Sequence, residues 1–205
     1  MSAPELHTVE IDGTTRAQFI LRGALATGAV YGVGAIAPFV SGAFGAPASD
    51  DVEILSFALA LEQLETAFYK AALANAGLTG DLQKLAAAFG AQEAQHANAL
   101  SALITQLGSK PAPAATAKFG LTDQASFLKL AVKLEDTGVG AYNGAAPLIK
   151  TPEILGALGG IVQTEARHSS ALRMLAGQDP APQAFDKGLT PTEVNAVVQP
   201  FVQQS

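Results

Sequence analysis

Two copies of the pattern E-x-x-H contain the residues of this chain best suited to chemistry. Glu93 precedes His96 by three residues in QEAQHANAL, and Glu165 precedes His168 by three in TEARHSSAL. Residues three apart lie on the same face of an α-helix, so each pair would direct a carboxylate and an imidazole to one point. Oxygen and nitrogen donors of this kind suit iron or manganese, and they suit zinc less distinctively. The two pairs therefore indicate a metal site.

The neighbours of each pair predict that it faces a protein core. Apolar residues share a helical stripe with the first pair (Phe89, Leu100, Leu103) and with the second (Leu158, Ile161, Leu172, Leu175). The apolar stripe of a helix packs inward, so the two pairs are expected to be buried. A buried carboxylate is costly unless it is paired, hydrogen-bonded or bound to a metal, and further partners are therefore expected.

An internal repeat identifies these partners. Glu62 precedes Tyr69 by seven residues, and Glu135 precedes Tyr142 by the same seven. Each of these glutamates lies 30 or 31 positions before the glutamate of an E-x-x-H pair. Each half of the chain thus has the order Glu-x6-Tyr, turn, Glu-x-x-His. The repeat predicts that both halves contribute to one site.

Two further acidic residues lie beside these candidates. Glu65 could share a helix face with Glu62, but the matching position in the second half is Gly138, so the repeat favours Glu62 as the ligand. Asp136 lies about 100° around the helix axis from Glu135 and is predicted to face outward or sideways.

The predicted site is dinuclear. Its ligands are Glu62, Glu93, His96, Glu135, Glu165 and His168. Four ionised glutamates and two neutral imidazoles carry four negative charges, which two divalent ions would balance. Without metal, the carboxylates would repel one another and some would have to take up protons. The alternative is a pair of core histidines that hydrogen-bond to helix neighbours, but it leaves the inward carboxylates without partners. One E-x-x-H is a weak signal, and two at matched spacing are a strong one.

Tyr69 and Tyr142 lie two helical turns from Glu62 and Glu135. Either they hydrogen-bond to ligands or relay electrons, or they are half-buried core tyrosines. Gly138, with Gly140 and Gly144, would permit either close helix packing or a gap through which a small oxidant enters. The sequence leaves both questions open.

Helix signals predict four long helices that would position these residues. The predicted N-caps are Asp50, in a capping box with Glu53, then Thr79 or Asp81, then Thr122, and then Thr151 before Pro152. The predicted ends are Gly77, Leu107 or Gly108, Ala146 and Gly177.

The connections predict the topology. The first and third are short, so helices 1 and 2 and helices 3 and 4 would form antiparallel pairs. The second, GSKPAPAATAKFGL, is a long Pro/Ala-rich crossover. The predicted fold is an all-α four-helix bundle at residues 49–176 with one long crossover between helices 2 and 3, which is the ferritin-like topology. The tail, residues 177–205, is expected to form a short helix near 191–198 and to pack on the bundle through Phe185, Val194 and Phe201.

Residues 1–48 are predicted to be an export signal or an anchor. Arg16 and Arg22 precede a Gly/Ala-rich apolar run at 23–44, and the small residues 46–48 could form a cleavage site. The segment resembles a degenerate twin-arginine signal, with Ala17 in place of the second arginine. A Sec-type signal, a retained anchor and a hydrophobic helix of the mature fold are the alternatives. Export predicts a periplasmic or cell-envelope location in a bacterium.

The composition excludes several classes of function. The 205-residue chain has no cysteine, which excludes disulfides, thiolate catalysis, iron–sulfur clusters and zinc fingers. Its net charge of -6 argues against a nucleic-acid surface. Contact with a membrane is predicted only through the N-terminal segment.

From about residue 50 to 202 the sequence resembles the ferritin-like superfamily, and most closely the bacterial ferritin-like domain proteins related to desiccation-related protein. The two E-x-x-H motifs and the AFDKGLTPTEV tail carry the resemblance. It implies two iron ions, or manganese as the alternative, that react with O2 or H2O2. It also implies that Glu93 and Glu165 bridge the ions. The terminal ligands would be Glu62 with His96 and Glu135 with His168.

Two kinds of function follow as hypotheses. The first is a ferroxidase-, peroxidase- or catalase-like oxidoreductase in oxidative or desiccation stress. The second is a non-catalytic protective or structural protein in which metals stabilise the bundle. The leader and the tail argue against a closed ferritin-type cage, and a homodimer is left open.

Overall fold

The computed structural model describes residues 49–203, and the regular secondary structure of this part of the chain is helical apart from one isolated β-bridge. The bundle helices are α1 (Ser49–Asn75), α2 (Gly80–Gln106), α3 (Gln124–Ala145) and α4 (Pro152–Leu175). A short helix, α5 (Pro191–Val198), follows in the tail, and 3-10 turns occupy Ala146–Leu148 and Gln199–Phe201. The predicted all-α fold is confirmed. The predictions for residues 1–48 lie outside the described residues. No helix in the described range is long and apolar enough to cross a bilayer.

The helix boundaries differ from the predicted ones at two N-termini. Helix α1 begins at Ser49, so Asp50 lies inside the helix instead of capping it. Helix α3 is capped by Asp123 and not by Thr122. The Asp123 carboxylate accepts a hydrogen bond from the Ser126 amide at 2.7 Å, and the Ser126 hydroxyl oxygen accepts one from the Asp123 amide at 3.0 Å. Such a reciprocal capping box satisfies two otherwise free amides, which favours Asp123.

The cap of α4 comes from another helix. Thr151 is the N-cap before Pro152 as predicted, yet its side chain makes no capping bond within α4. Asp51 of α1 takes that role. Its carboxylate accepts hydrogen bonds from the amides of Lys150 (2.9 Å) and Thr151 (3.0 Å) and from the Thr151 hydroxyl (2.6 Å). Asp51 therefore joins the start of α1 to the start of α4.

Replacing Asp51 by alanine is expected to lower the free energy of unfolding by about 1 to 2 kcal/mol, because the α4 terminus loses its acceptor. Burial opposes the charge of Asp51, but the Thr151 hydroxyl and the two amides hold its pKa below the ordinary 3.8. The contribution is therefore present above pH 3.8 and is lost as the pH falls through the lower folded-state pKa. Urea denaturation of Asp51→Ala beside the exposed control Glu53→Gln measures the effect. Equal midpoints for the two variants at pH 7 would contradict it.

Two apolar clusters fill the bundle, and α1 packs mainly on α2 while α3 packs mainly on α4. One cluster is centred on the buried aromatic residues Phe68, Tyr69, Phe89 and Phe127. The other contains Leu55, Leu59, Leu100, Ile104, Tyr142, Ile154, Leu158 and Ile161. On each of the four long helices, buried acidic residues lie between members of the two clusters. The helices thus carry a polar layer across an apolar core.

The tail packs against the crossover between α2 and α3. Ala117 and Val202 form an antiparallel bridge, and the Phe119 and Phe201 rings stack with centroids 5.5 Å apart. Val194 of α5 is fully buried, as predicted. The prediction for Phe185 was wrong, because its side chain is 89% exposed. Its loop lies between prolines and α5, and no apolar surface of the bundle covers it.

Gly144 allows the tail to approach the backbone of α3 closely. A Cβ atom there would lie 2.0 Å from the carbonyl oxygen of Leu189. The Leu189 amide also donates to the Gly140 carbonyl at 2.8 Å. These two glycines therefore let the loop before α5 pack closely on α3, whereas the sequence had predicted either close packing between helices or a gap for a small oxidant.

Candidate metal centre

The six predicted ligands converge in the polar layer of the bundle. They form two groups whose ligand atoms lie within 4.8 Å of one another: Glu62, Glu93, His96 and Glu165, and Glu93, Glu135, Glu165 and His168. All six residues are at most 8% exposed. Glu93 and Glu165 belong to both groups, while each group has one further glutamate and one histidine of its own.

His96 faces three carboxylates through one ring nitrogen. Its Nδ1 lies 2.9 Å from Glu93 Oε2, 3.2 Å from Glu62 Oε2 and 3.1 Å from Glu165 Oε1. One nitrogen cannot donate to three acceptors at once, so the oxygens surround a common point in front of the ring. Such an arrangement suits a cation better than a single proton.

His168 is oriented from both ends of its ring. Its Nδ1 lies 2.8 Å from Glu93 Oε1 and 3.4 Å from Glu135 Oε2. On the other side, its Nε2 lies 2.6 Å from the buried Gln92 Oε1. The Phe89 ring stacks on the imidazole with centroids 3.9 Å apart. With Nε2 protonated and donating to Gln92, Nδ1 is free to bind a metal, and a hydrogen bond at the second ring nitrogen commonly orients metal-binding histidines in this way.

Sequence reasoning missed Gln92. It directly precedes Glu93 and so lies about 100° around the helix from the ligand face. Its polar side chain borders the apolar face of α2, and this was the available signal. Which residue it would meet depends on where α4 packs, and the repeat does not supply that position.

Two tyrosines connect the halves of the bundle by hydrogen bonds. Tyr69 of α1 donates a hydrogen bond to Glu135 Oε1 of α3, and Tyr142 of α3 donates one to Glu62 Oε1 of α1. Both rings are at most 5% exposed. Each tyrosine therefore hydrogen-bonds to the glutamate of the other helix, and not to the glutamate that precedes it by seven residues in its own helix. This decides the first question that the sequence left open in favour of hydrogen bonding to the candidate ligands.

The electrostatics of the cluster reflect an excess of buried negative charge. Burial raises the pKa of Glu62 to about 7, against the opposing effect of His96. Burial also raises the pKa of Glu165 well above its ordinary value, and the charges of the other glutamates add to this. The nearby Glu135 and Glu93 raise the pKa of His168 to about 10, although burial alone would lower it. Without a cation, protons on the imidazoles partly compensate the carboxylates.

Buried polar atoms at the centre of the cluster show that it fits metal ions. Those without a hydrogen bond are Glu93 Oε1, Glu135 Oε2, both carboxylate oxygens of Glu165, and His168 Nδ1. Buried acceptors are rarely left unpaired in proteins. These atoms are the ones shared between, or directed into, the two ligand groups. Two cations placed there would give all of them partners, so the residues are compatible with a dinuclear metal site.

Glu65 and Asp136, the two acidic residues beside the candidates, lie outside both ligand groups. Glu65 belongs to neither ligand group, in keeping with the preference for Glu62, but it is only 4% exposed and lies beside the site. Asp136 faces sideways, as predicted, where it pairs with Arg173 at 2.5 Å and accepts a hydrogen bond from Ser169. The repeat did not indicate that Glu65 would be buried.

Replacing Tyr142 by phenylalanine is expected to lower the affinity for one of two metal ions by about 10- to 100-fold, because Glu62 loses the hydroxyl that orients it. Tyr69→Phe is expected to do the same at Glu135, and hence at the other ion. Co(II) titration followed by visible absorption measures both affinities. Phe57→Leu, at a partly buried position of α1, is the control. A uniform loss at both ions in either variant would contradict the assignment of one tyrosine to each group.

Comparison with known proteins agrees with the fold. The chain is similar to a conserved hypothetical protein from Mycobacterium tuberculosis, whose crystal structure matches with a TM-score of 0.58 and 20% identity over 67% of this chain and 97% of that one. At that identity the likeness concerns the fold alone. No curated protein matches the chain. A sequence model of the ferritin-like domain matches residues 50–178, which include all six predicted ligands and the four long helices except Ser49. The chain therefore belongs to the ferritin-like domain family.

Proposed function

We propose that this protein binds two iron ions in the bundle and uses them to react with O2 or H2O2, as a ferroxidase- or peroxidase-like oxidoreductase. The observation that carries the proposal is the pair of four-residue ligand groups that share Glu93 and Glu165. Glu62 with His96 would complete one ion, and Glu135 with His168 the other. The oxygen and nitrogen donors suit iron, with manganese as the alternative.

In this proposal the shared glutamates, the tyrosines and Gln92 have different roles. The shared glutamates would hold the two ions next to each other, and when bound, an iron pair supplies two electrons to a small oxidant. The tyrosine hydroxyls keep Glu62 and Glu135 directed inward. Gln92 keeps His168 Nδ1 on the side of the carboxylates. Burial keeps bulk water away from the reaction.

Burial also limits the substrate. Since the candidate ligands are at most 8% exposed, a large organic substrate could not touch the ions without opening the bundle. Reactants of a few atoms fit this constraint, and O2 and H2O2 are of that size. Export through residues 1–48, a role in stress and a homodimeric state belong to the proposal as predictions.

Metal reconstitution tests the proposal. After removal of metals with a chelator, the protein is loaded with Fe(II) without oxygen, and bound iron is measured by elemental analysis. Air or H2O2 is then added, and the remaining Fe(II) is measured with a colorimetric chelator. We expect two iron ions per chain and oxidation faster than in buffer. Failure to bind two ions would overturn the proposal.

The second function, a structural or stress-protective metal protein, is favoured by the position of the site between two apolar clusters. Ions there would tie all four helices together. That function predicts a metal-dependent rise in melting temperature with no acceleration of Fe(II) oxidation. The same reconstituted sample distinguishes the two.

A further inference from the structure

Two exposed leucines lie at the end of the bundle where α1 begins. Leu148 closes the 3-10 turn between α3 and α4 and is 59% exposed, and Leu155, in the first turn of α4, is 41% exposed. Single exposed apolar side chains are common on protein surfaces. They indicate an interaction when a further apolar surface is held next to them. The question is therefore what lies beside these two leucines.

Asp51 fixes the start of α1 beside the two leucines. Its carboxylate accepts hydrogen bonds from the amides of Lys150 and Thr151, which lie between Leu148 and Leu155 in the sequence. Asp51 is fully buried, so α1 is held tightly against the connection between α3 and α4. Ser49, two residues earlier, therefore lies at the same end of the bundle. Residues 1–48 join the bundle at this point.

A long uncharged run belongs to the segment that joins here. Residues 23–44 contain no charged side chain, and a membrane span needs about 20 predominantly apolar residues. Phe44 precedes Ser49 by five residues. Five residues reach at most about 18 Å when fully extended. A bilayer that held this run would therefore lie within that distance of the start of α1.

From this placement we propose that the end of the bundle with Leu148 and Leu155 rests on a lipid bilayer, with residues 23–44 retained as the anchor. The bundle itself is thereby added to the membrane contact predicted for the N-terminal segment. The two side chains would enter the boundary between headgroups and acyl chains, which removes their apolar surface from water. Because the anchor holds them at a high local concentration of lipid, a small contact suffices.

The charges at this end favour an apolar contact over an electrostatic one. Lys150 and Glu53, in the turns that begin this end, are both exposed and have opposite signs. Attraction to an anionic lipid surface requires a cluster of basic side chains. Contact with neutral lipid is therefore expected to be as close as contact with anionic lipid.

Single cysteines test the proposal, because the chain contains none of its own. The full-length variants Leu148→Cys and Leu155→Cys are labelled with a polarity-sensitive fluorophore. Leu175→Cys is the matched control, since Leu175 is 47% exposed at the other end of α4, about 30 Å from Leu155. Each labelled protein is reconstituted into phosphatidylcholine vesicles with ordinary or brominated acyl chains, and its emission is recorded. Circular dichroism verifies the fold.

We expect the labels that replace Leu148 and Leu155 to lose about half of their emission to brominated lipid, because interfacial side chains lie about 5 to 10 Å into the headgroup boundary. They should also emit at a shorter wavelength than the label that replaces Leu175, which should not be quenched. An equal response at the three positions would overturn the proposal.

The other outcomes separate the anchor from the surface. If the full-length protein does not float with the vesicles, residues 23–44 are no anchor and the proposal is overturned. If it floats but no label is quenched, the bundle stands away from the bilayer, and the proposed surface is overturned while the anchor stands. Emission at short wavelength without quenching would mean that another part of this chain or a second copy covers the leucines, which also overturns it. None of these results depends on metal, so the dinuclear function is tested separately.

Discussion

Replacing Glu93 by glutamine is expected to abolish binding of both metal ions. Glu93 belongs to both ligand groups, and its two oxygens approach different histidines, Oε2 at 2.9 Å from His96 and Oε1 at 2.8 Å from His168. A neutral amide in this position removes the one negative charge that the two ions would share, and it places an NH2 group where an acceptor is needed. Metal content per chain after equilibrium dialysis, determined by elemental analysis, is expected to fall from two ions to fewer than one.

Two further variants test whether the loss of both ions is specific to Glu93. Glu62→Gln changes one group only and is expected to leave the other ion bound. Asp136→Asn, a carboxylate paired with Arg173 outside both groups, is expected to bind as the wild type does. If Glu93→Gln and Glu62→Gln lose the same single ion, Glu93 does not bridge.

The two shared glutamates are expected to have opposite effects on stability once metal is removed. Burial disfavours the charge of Glu93, but His168 and His96 outweigh it and lower its pKa. Removing one partner of a buried ion pair is costly, so Glu93→Gln is expected to destabilise the chelated protein by about 3 kcal/mol or more. Glu165 Oε1 lies 3.1 Å from His96 Nδ1, but neither Glu165 oxygen has a hydrogen bond, and burial together with the neighbouring glutamates raises the pKa of Glu165. Glu165→Gln is therefore expected to be neutral or stabilising.

The pH dependence has opposite signs as well. A lowered pKa means that the contribution of Glu93 is present above its ordinary value of 4.5 and is lost as the pH falls through the folded-state pKa. The raised pKa of Glu165 means that the wild type loses stability as the pH rises above 4.5, since the unfolded chain ionises first. The advantage of Glu165→Gln should thus grow between pH 5 and 7.

Urea denaturation of the chelated proteins at several pH values measures these effects, and Glu53→Gln again provides the control. Both site variants should lose metal, so only the chelated state distinguishes them. Equal destabilisation by Glu93→Gln and Glu165→Gln would show that the two carboxylates are equally paired, against the contacts described above.

Local features of the chain determined much of the fold. The helix ends just before Gly77 and Gly177 and the Pro152 start of α4 follow from backbone preferences of single residues. The errors at Asp50 and Thr122 are shifts of one or two residues in where a helix begins or is capped. Phe185 is a different case, because whether an aromatic residue in a tail finds a partner depends on the path of the chain over the bundle.

The sequence by itself determined which side chains share a face. Helical periodicity places Glu93 with His96 and Glu165 with His168, and the repeat adds Glu62 and Glu135. These relations hold within one helix, where three or four residues make one turn. All six glutamates and histidines of the repeat lie in the two ligand groups.

Only the tertiary structure decided how residues of different helices meet. It placed Glu93 and Glu165 in both ligand groups, directed Tyr69 to Glu135 instead of Glu62, and brought Gln92 to His168. It also placed Glu65 against Gly138, which the repeat had used to set Glu65 aside. The physical reason is that spacing along a helix fixes the direction of a side chain, whereas the distance to another helix is set by packing of the two apolar clusters.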